Sequence, residues 1–284
     1  MESSLGRREF VALGSSAVVA AGLGRDAAEG EAKQSPALKA QRLSWAGIKL
    51  ELGDRTLLID PWISPEIWDG AWTMPVVPIE VATRSRGVLI THLHNDHFDP
   101  AAIRAALPET GSVVCHRDIA ATVASRGFRV LALDLYEPAP LGDFTVLPVP
   151  AVDGLGERQV SWVVIGGGRR IIHCGDTLWH GAFQRIGRAH GPFDAAFLPI
   201  NGAQVLAVTP RAGIPAVLTP EQAVGAAVAL GARLACPIHY GLHDPKAYLE
   251  FPQAEATFLR VARERRVAVE RALPGETLTW AERA

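Results

Sequence analysis

Short apolar runs alternate with amphipathic segments along the chain from about residue 43 onward. Short runs between turn signals are typical of buried strands, and longer segments with apolar residues three and four apart are typical of helices. We predict strands at residues 47–52, 56–60, 87–90, 112–115, 130–133, 144–149, 160–165, 171–174, 195–199, 233–236 and 267–273. We predict helices at residues 100–107, 117–126, 177–189, 219–230 and 253–265. Because both element types occur in both halves, the pattern indicates a mixed α/β fold.

One long segment, residues 62–81, has no clear period and is predicted to be a loop. It carries Trp62, Trp68 and Trp72. Two interpretations are open for these rings. They form an apolar wall for an acyl or aromatic substrate, or they pack into the core.

The segment after the predicted strand at 87–90 carries the strongest chemical signal. His92, His94, Asp96 and His97 lie within six residues of one another. Alternate side chains of an extended segment point the same way, so His92 and His94 can reach one ion, and a turn lets Asp96 and His97 face a second. Imidazole and carboxylate groups suit zinc, iron or manganese better than calcium or magnesium. The motif therefore indicates a transition-metal site.

Two later segments offer further ligands in the same setting. Asp176 follows the apolar run at residues 171–174, and His239 follows the run that begins at residue 233. Loops at strand ends, held by a rigid sheet, are the usual place for functional side chains. We therefore expect Asp176 and His239 to join the histidine motif.

These motifs, in this order, resemble the metallo-β-lactamase superfamily. The resemblance is closest to the branch that contains N-acylphosphatidylethanolamine phospholipase D and the ascorbate-lactonase-like hydrolases, and it runs from about residue 43 to 278. It is carried by the histidine motif and by Leu57-Leu-Ile-Asp-Pro61, Gly175-Asp-Thr177, Thr219-Pro-Glu-Gln-Ala-Val224 and Ile238-His-Tyr240. The resemblance implies an αββα sandwich, in which two mixed sheets pack face to face and helices cover their outer faces.

The family pattern implies two divalent metal ions, with zinc as the first expectation and manganese or iron as alternatives. It implies a first ion bound by His92 and His94, and a second bound by Asp96, His97 and His239. Asp176 would bridge the two ions.

The sequence departs from the family at one ligand of the first metal. The family has a further histidine in the loop after the predicted strand at 144–149, and Asp153 stands there in this chain. Either Asp153 binds the first metal through its carboxylate, or the Asp153-Gly154 pair is a turn and the first site is weak or absent.

The resemblance implies hydrolysis by a metal-bound hydroxide, because a bound metal lowers the pKa of water towards neutrality. Asp96 is expected to act at the second metal, either by orienting a reacting group or by protonating it. Asp60 is expected to support the histidine loop through hydrogen bonds. A phosphodiester is one expected substrate, and a lactone or ester is the other. The alternative function is a non-catalytic metal-binding or sensor protein with a degenerate first site. His180 and His243 either line the pocket or are capping or surface residues.

The N-terminus has a different character. Arg7 and Arg8 precede an apolar run from residue 12 to 24 that is too short and too rich in glycine for a membrane span. This order resembles a twin-arginine export signal. We therefore predict a signal peptide and linker at residues 1–35, a hydrolase domain at residues 36–284 and a periplasmic location, with the cytoplasm as the alternative.

The overall charge adds little to the choice of partner. The net charge of −2 gives no reason to expect a nucleic-acid partner. The resemblance implies a small-molecule or lipid-like substrate, and no feature of the sequence indicates an oligomeric state.

Overall fold

The computed structural model describes residues 36–80, 87–206, 209, 213–242 and 244–280. The export signal predicted at residues 1–35 and the candidate His243 lie outside the described residues. Among the described residues, no helix is both long enough and apolar enough to cross a membrane.

The first sheet has six strands that follow one another in chain order. They are β1 (Lys39–Arg42), β2 (Ile48–Leu52), β3 (Arg55–Ile59), β4 (Gly87–Leu89), β5 (Ser112–His116) and β6 (Val130–Leu133). Strands β1, β2 and β3 pair antiparallel, whereas β3, β4, β5 and β6 pair parallel. The carboxyl ends of β3 and β4 therefore meet at the same edge of the sheet.

The second sheet also has six strands, in the order β13–β11–β10–β9–β8–β7. They are β7 (Ala139–Leu141), β8 (Phe144–Pro150), β9 (Val160–Gly166), β10 (Arg169–His173), β11 (Ala195–Pro199) and β13 (Ala235–Ile238). Strands β10, β11 and β13 run parallel. A separate two-stranded ribbon pairs β12 (Gln204–Val205) with β14 (Tyr248–Leu249).

The two sheets pack against each other through one large apolar core. Leu57 and Ile59 of β3 point into this core with Trp162 and Val164 of β9, whereas Leu58, between the first two, points to the opposite face. This alternation follows from the two-residue period of a strand. Both faces of each sheet are buried, so the sheets form the middle layers of a sandwich.

Helices cover the outer face of each sheet. Helices α1 (Pro100–Ala106) and α2 (Arg117–Ser125) share an apolar cluster with the first sheet. Helices α3 (Phe183–His190), α4 (Pro220–Leu230) and α5 (Ala254–Glu264) share another with the second sheet. The αββα sandwich expected from the sequence is confirmed.

Two predicted elements differ from the structure. The helix predicted at residues 177–189 begins only at Phe183, because the backbone of the preceding segment pairs with another loop. Asp153 and Thr177 form an isolated bridge, and Leu178 N–H donates to the Val152 carbonyl at 2.8 Å. The strand predicted at residues 267–273 is reduced to an isolated bridge between Ala235 and Val269.

Candidate metal centre

Apart from Asp153, which follows the antiparallel strand β8, the candidate ligands come from three loops, each of which follows a strand with a parallel neighbour. The histidine motif follows β4 in the first sheet, Asp176 follows β10, and His239 follows β13 in the second sheet. The face-to-face sheets bring these loops together at one end of the sandwich, so residues far apart in sequence share one site.

One cluster contains Asp96, His97, Asp176 and His239, whose ligand-type atoms all lie within 4.8 Å of one another. The Nε2 atom of His97 lies 3.0 Å from Oδ1 of Asp176, and the Nε2 atom of His239 lies 2.9 Å from Oδ2 of the same carboxylate. All four side chains are buried. We call this set the second cluster, because its residues match those expected for the second metal.

A first cluster contains His92, His94 and Asp176. The Nε2 atom of His92 lies 2.8 Å from Nδ1 of His94 and 4.0 Å from Oδ2 of Asp176. His92 is buried, whereas His94 is half-buried and faces the cavity described below. Asp176 belongs to both clusters, which is the position that the sequence predicts for a bridging carboxylate.

A buried carboxylate, Asp60, supports the histidine loop as predicted. Its Oδ1 accepts the backbone N–H of Thr91 at 2.8 Å, and its Oδ2 accepts the Thr91 hydroxyl at 2.6 Å. The Nδ1 atom of His97 lies 2.9 Å from the same Oδ2. A proton on Nδ1 satisfies this contact and leaves the Nε2 lone pair of His97 facing the second cluster.

In the second cluster, neighbouring imidazole and carboxylate groups shift one another's pKa values. Burial alone would lower the pKa of His97, but the carboxylates of Asp176 and Asp96 outweigh burial and raise that pKa well above its usual value. Burial alone would raise the pKa of Asp176, but the charges of His239 and His97 keep it well below the usual range. In the metal-free protein the cluster therefore favours cationic imidazoles beside anionic carboxylates.

Several polar atoms of the second cluster have no hydrogen-bond partner and are arranged as metal ligands. Nε2 of His97, Nε2 of His239 and Oδ1 of Asp176 are all buried and make no hydrogen bond. Buried polar atoms in folded proteins normally have a partner. Ring nitrogens and carboxylate oxygens that converge in this way form a suitable donor set for zinc, manganese or iron.

Asp153 lies outside both clusters, although it lines the same cavity. Its Oδ2 accepts the backbone N–H groups of Leu155 at 2.7 Å and Glu157 at 2.9 Å. One carboxylate oxygen is thus used in a turn, as the Asp153-Gly154 sequence allows. The first cluster consequently has three side chains, one fewer than the second.

The cavity beside the clusters has a volume of about 500 Å³. Its polar lining consists of His94, Asn95, Asp96, Asp153 and Asp176. Its apolar wall is formed by Trp68, Leu93, Leu155, Val205, Ala216, Val217, Ala247 and Tyr248. A volume of this size is typical of small-molecule sites, and the clusters lie on its polar side.

His180 and the three tryptophans of the loop at residues 62–81 take different positions relative to the cavity. His180 is absent from the lining of that cavity. Its Nδ1 accepts the backbone N–H of Ala182 at 3.2 Å, its ring stacks on Phe183 with centroids 4.1 Å apart, and burial lowers its pKa to about 4. His180 therefore holds the turn that precedes α3 and does not provide a side-chain cap for the helix. The loop tryptophans divide: Trp68 lines the cavity, whereas Trp62 and Trp72 are buried in the core.

Sequence reasoning missed Trp45 and Tyr248. The indole N–H of Trp45 donates to Oδ2 of Asp96 at 2.9 Å, and Tyr248 makes an edge-to-face contact with Trp68 in the cavity wall, with centroids 5.4 Å apart. Neither residue lies in a recognisable motif, because each reaches the site from a distant turn or ribbon. No local signal in the sequence would have identified them.

Comparison with known proteins identifies the family of this fold. A model of the beta-lactamase superfamily domain matches residues 55–240. A UPF0173 metal-dependent hydrolase of Thermococcus kodakarensis is 28% identical over 218 residues, which span 74% of this chain and 88% of that protein.

Solved structures share the fold at low sequence identity. Igni18, a metallo hydrolase from the archaeon Ignicoccus hospitalis, has a TM-score of 0.67 at 22% identity and covers 87% of this chain and 99% of its own. An isothiocyanate hydrolase from Delia radicum gut bacteria has a TM-score of 0.66 at 20% identity, with 86% and 99% covered. With a family model that spans residues 55–240, this chain belongs to the beta-lactamase superfamily.

Proposed function

We propose that this protein is a metal-dependent hydrolase of a small molecule, with two divalent ions in the candidate centre. One observation carries the proposal: the two ligand clusters share Asp176 and adjoin one cavity of about 500 Å³. The similarity to a relative described as a metal-dependent hydrolase supports it. Zinc is our first choice, with manganese or iron as alternatives.

The ligand assignment follows the two clusters. The first ion would be held by His92, His94 and Asp176, and the second by Asp96, His97, Asp176 and His239. When bound, such a metal pair supplies Lewis acidity and lowers the pKa of a bound water.

The chain's own residues then hold rings and protons in place. Asp60 accepts from Nδ1 of His97, so it fixes both the ring orientation and the tautomer that presents Nε2 to the second site. Asp96 lies at the wall of the cavity, where its carboxylate can accept a proton from water or return one to a leaving group. No serine or cysteine nucleophile is needed in this arrangement.

The cavity wall favours a substrate with an apolar portion. Trp68 and Tyr248 form an aromatic face, and Val205 lines the same cavity. An ester or lactone with an acyl or aromatic body fits this wall, and a lipid-like phosphodiester is the other candidate. These substrate classes belong to the phospholipase and lactonase branch that the sequence resembles.

The test uses protein stripped with a chelator and then reloaded with Zn²⁺, Mn²⁺ or Fe²⁺. 4-Nitrophenyl butyrate and bis(4-nitrophenyl) phosphate release the same product, so their rates compare directly, and γ-butyrolactone tests the cyclic ester. We expect hydrolysis of at least one substrate only in reloaded protein, and none in an Asp176→Asn variant. Equal rates in stripped and reloaded protein would contradict a metal-dependent reaction.

A second candidate function is a non-catalytic metal-binding or sensor protein. The observation in its favour is that Asp153 uses one carboxylate oxygen in a turn and leaves the first cluster with three side chains. This candidate predicts one tightly bound metal and no hydrolysis of any substrate. Elemental analysis together with the substrate screen separates the two functions.

We also propose export through a twin-arginine signal in residues 1–35, on the strength of Arg7, Arg8 and the apolar run that follows. Expression with the native N-terminus should yield a shortened protein in the periplasmic fraction. An Arg7→Lys, Arg8→Lys double variant should stay unprocessed, and processing that survives this change would argue for another route.

A further inference from the structure

Trp45 lies in the tight turn between β1 and β2, with its backbone in the left-handed region at φ 55°. The turn is closed by a hydrogen bond from Leu43 N–H to the Gly47 carbonyl at 2.8 Å. A bulky residue seldom adopts this conformation, which persists only where the surrounding contacts hold it. The strained turn thus places a fully buried indole ring beside the candidate metal centre.

The indole N–H points at one atom of the second cluster. It donates to Oδ2 of Asp96 at 2.9 Å. The same Oδ2 lies 3.8 Å from Nε2 of His97 and 3.7 Å from Nε2 of His239, so it is the oxygen that faces the other ligands. A single directed hydrogen bond at this oxygen fixes the rotation of the Asp96 carboxylate.

Trp45 also holds a second ligand, His239. The two rings lie with their centroids 4.1 Å apart, and the Trp45 carbonyl accepts the backbone N–H of His239 at 3.3 Å. The backbone of His239 is itself left-handed, at φ 55°. Two residues in an unfavourable backbone conformation therefore support each other across the gap between the two sheets.

We propose that Trp45 is a positioning residue of the second half of the metal centre: its N–H orients Asp96, and its ring and carbonyl hold His239, so that both face one ion. The proposal rests on the proposed function, because it concerns ligands of that same site. Trp45 does not line the cavity wall that the structure describes, so its role runs through the two ligands.

The first test compares Trp45→Phe with a matched control, Trp62→Phe. Trp62 is also fully buried and makes an edge-to-face contact with Trp72 in the same aromatic group, but its indole N–H makes no hydrogen bond. Zn²⁺ affinity is measured by chelator competition, alongside the Co²⁺ absorption spectrum. We expect Trp45→Phe to weaken one of two metal equivalents by about 10–100-fold and to change the Co²⁺ spectrum, as outer-shell partners of metal ligands do. Trp62→Phe should retain both affinities, and equal affinities in all three proteins would overturn the proposal.

A double-mutant cycle with Asp96→Asn separates positioning from general stability. If Trp45 acts through Asp96, Trp45→Phe should weaken the second metal by a much smaller factor in the Asp96→Asn background than in the natural protein. Fully additive losses in affinity would overturn the link between the two residues.

A third measurement applies even if Trp45→Phe does not fold. Asp96→Asn conserves volume, and in a ¹⁵N spectrum of the seven tryptophan indoles it should shift one N–H resonance strongly. No shifted resonance would overturn the hydrogen bond. If the natural protein binds no metal at all, the proposed function fails as a whole, whereas two bound metals with unchanged affinity in Trp45→Phe remove only the role of Trp45.

Discussion

The two halves of the candidate metal centre differ in how their ligands are supported. In the second cluster, Asp60 contacts His97 at 2.9 Å and Trp45 contacts Asp96 at 2.9 Å, so two of its ligands have a dedicated buried partner. In the first cluster, His92 and His94 contact each other at 2.8 Å. Of these two, His92 also has an outer partner, the Thr91 hydroxyl at 2.9 Å.

This difference indicates that the fold pre-arranges the ligands of the second half, whereas the arrangement of the first-half ligands depends more on the bound ion. A ligand held by a buried partner loses less conformational freedom when a metal binds. The first half has three side chains, and Asp153, which could have been a fourth, is engaged in a turn. We therefore expect two metals of unequal affinity.

Removing the shared ligand should have the largest effect, because Asp176 belongs to both halves. We expect Asp176→Asn to lose both metals and to reduce any hydrolytic rate by more than about 100-fold, the upper figure for outer-shell partners. Elemental analysis and initial rates check this result. Asp134→Asn, at an exposed position paired with Arg117, is the control, and a variant at Asp176 that retained both metals would remove the bridge from the account.

Changing the direct support of the second half should affect that half most, because Asp60 contacts His97 directly and reaches His92 only through the Thr91 hydroxyl. We expect Asp60→Asn to weaken one metal equivalent by about 10–100-fold, because an amide cannot accept from Thr91 and His97 as the carboxylate does. Metal titration in competition with a chelator measures the two affinities separately. Asp134→Asn, at an exposed carboxylate away from the centre, is a suitable control and should leave both affinities unchanged. Equal weakening of both equivalents would show that the halves are not independent.

Adding a ligand to the first half, which has fewer side chains, should strengthen metal binding there. We expect Asp153→His to strengthen the weaker metal equivalent by roughly tenfold, about 1.4 kcal/mol, and to leave the tighter one unchanged. Asp153→Ala breaks the same turn without supplying a ligand, so it should bring no gain. If both variants behave alike, position 153 does not face the first metal.

The smallest effect concerns pH and lies away from the centre. Burial lowers the pKa of His180 to about 4, so the folded protein keeps this ring neutral, while an unfolded chain protonates it below about 6.5. The unfolded state then binds more protons between pH 6.5 and 4, and stability falls as pH falls through that window. We expect His180→Gln to reduce this loss by no more than about 1 kcal/mol, because the ring is partly exposed. Urea unfolding of chelator-treated protein at pH 7 and pH 4.5 tests it, and an identical pH dependence in both proteins would be a contrary result.

Contiguous features of the centre could be predicted from the sequence. His92, His94, Asp96 and His97 lie in one segment, and the position after an apolar strand gives their setting. The positions of Asp176 and His239 after apolar runs indicated that they join the motif. The sandwich and the division of the ligands between two ions followed from the resemblance to a family.

Features that depend on tertiary contact could not be predicted. Trp45 reaches Asp96 only after the two sheets pack, and the β12–β14 ribbon carries Tyr248 into the cavity wall. The Asp153 carboxylate can face a metal or bond within its own turn, and the backbone geometry decides between the two. The Asp-Gly sequence alone does not specify that geometry. Helix α3 begins later than predicted, because the backbone of the segment before it pairs with a neighbouring loop, as in the bridge between Asp153 and Thr177.

A metal titration of the natural protein tests whether the centre binds two ions in two unequal halves that share Asp176. Chelator-treated protein is titrated with Zn²⁺ in competition with an indicator, and bound zinc is counted by elemental analysis. We predict two equivalents with clearly separated affinities, the tighter of which is sensitive to Asp60→Asn. A single equivalent, two equivalents of equal affinity, or no bound zinc would contradict the account.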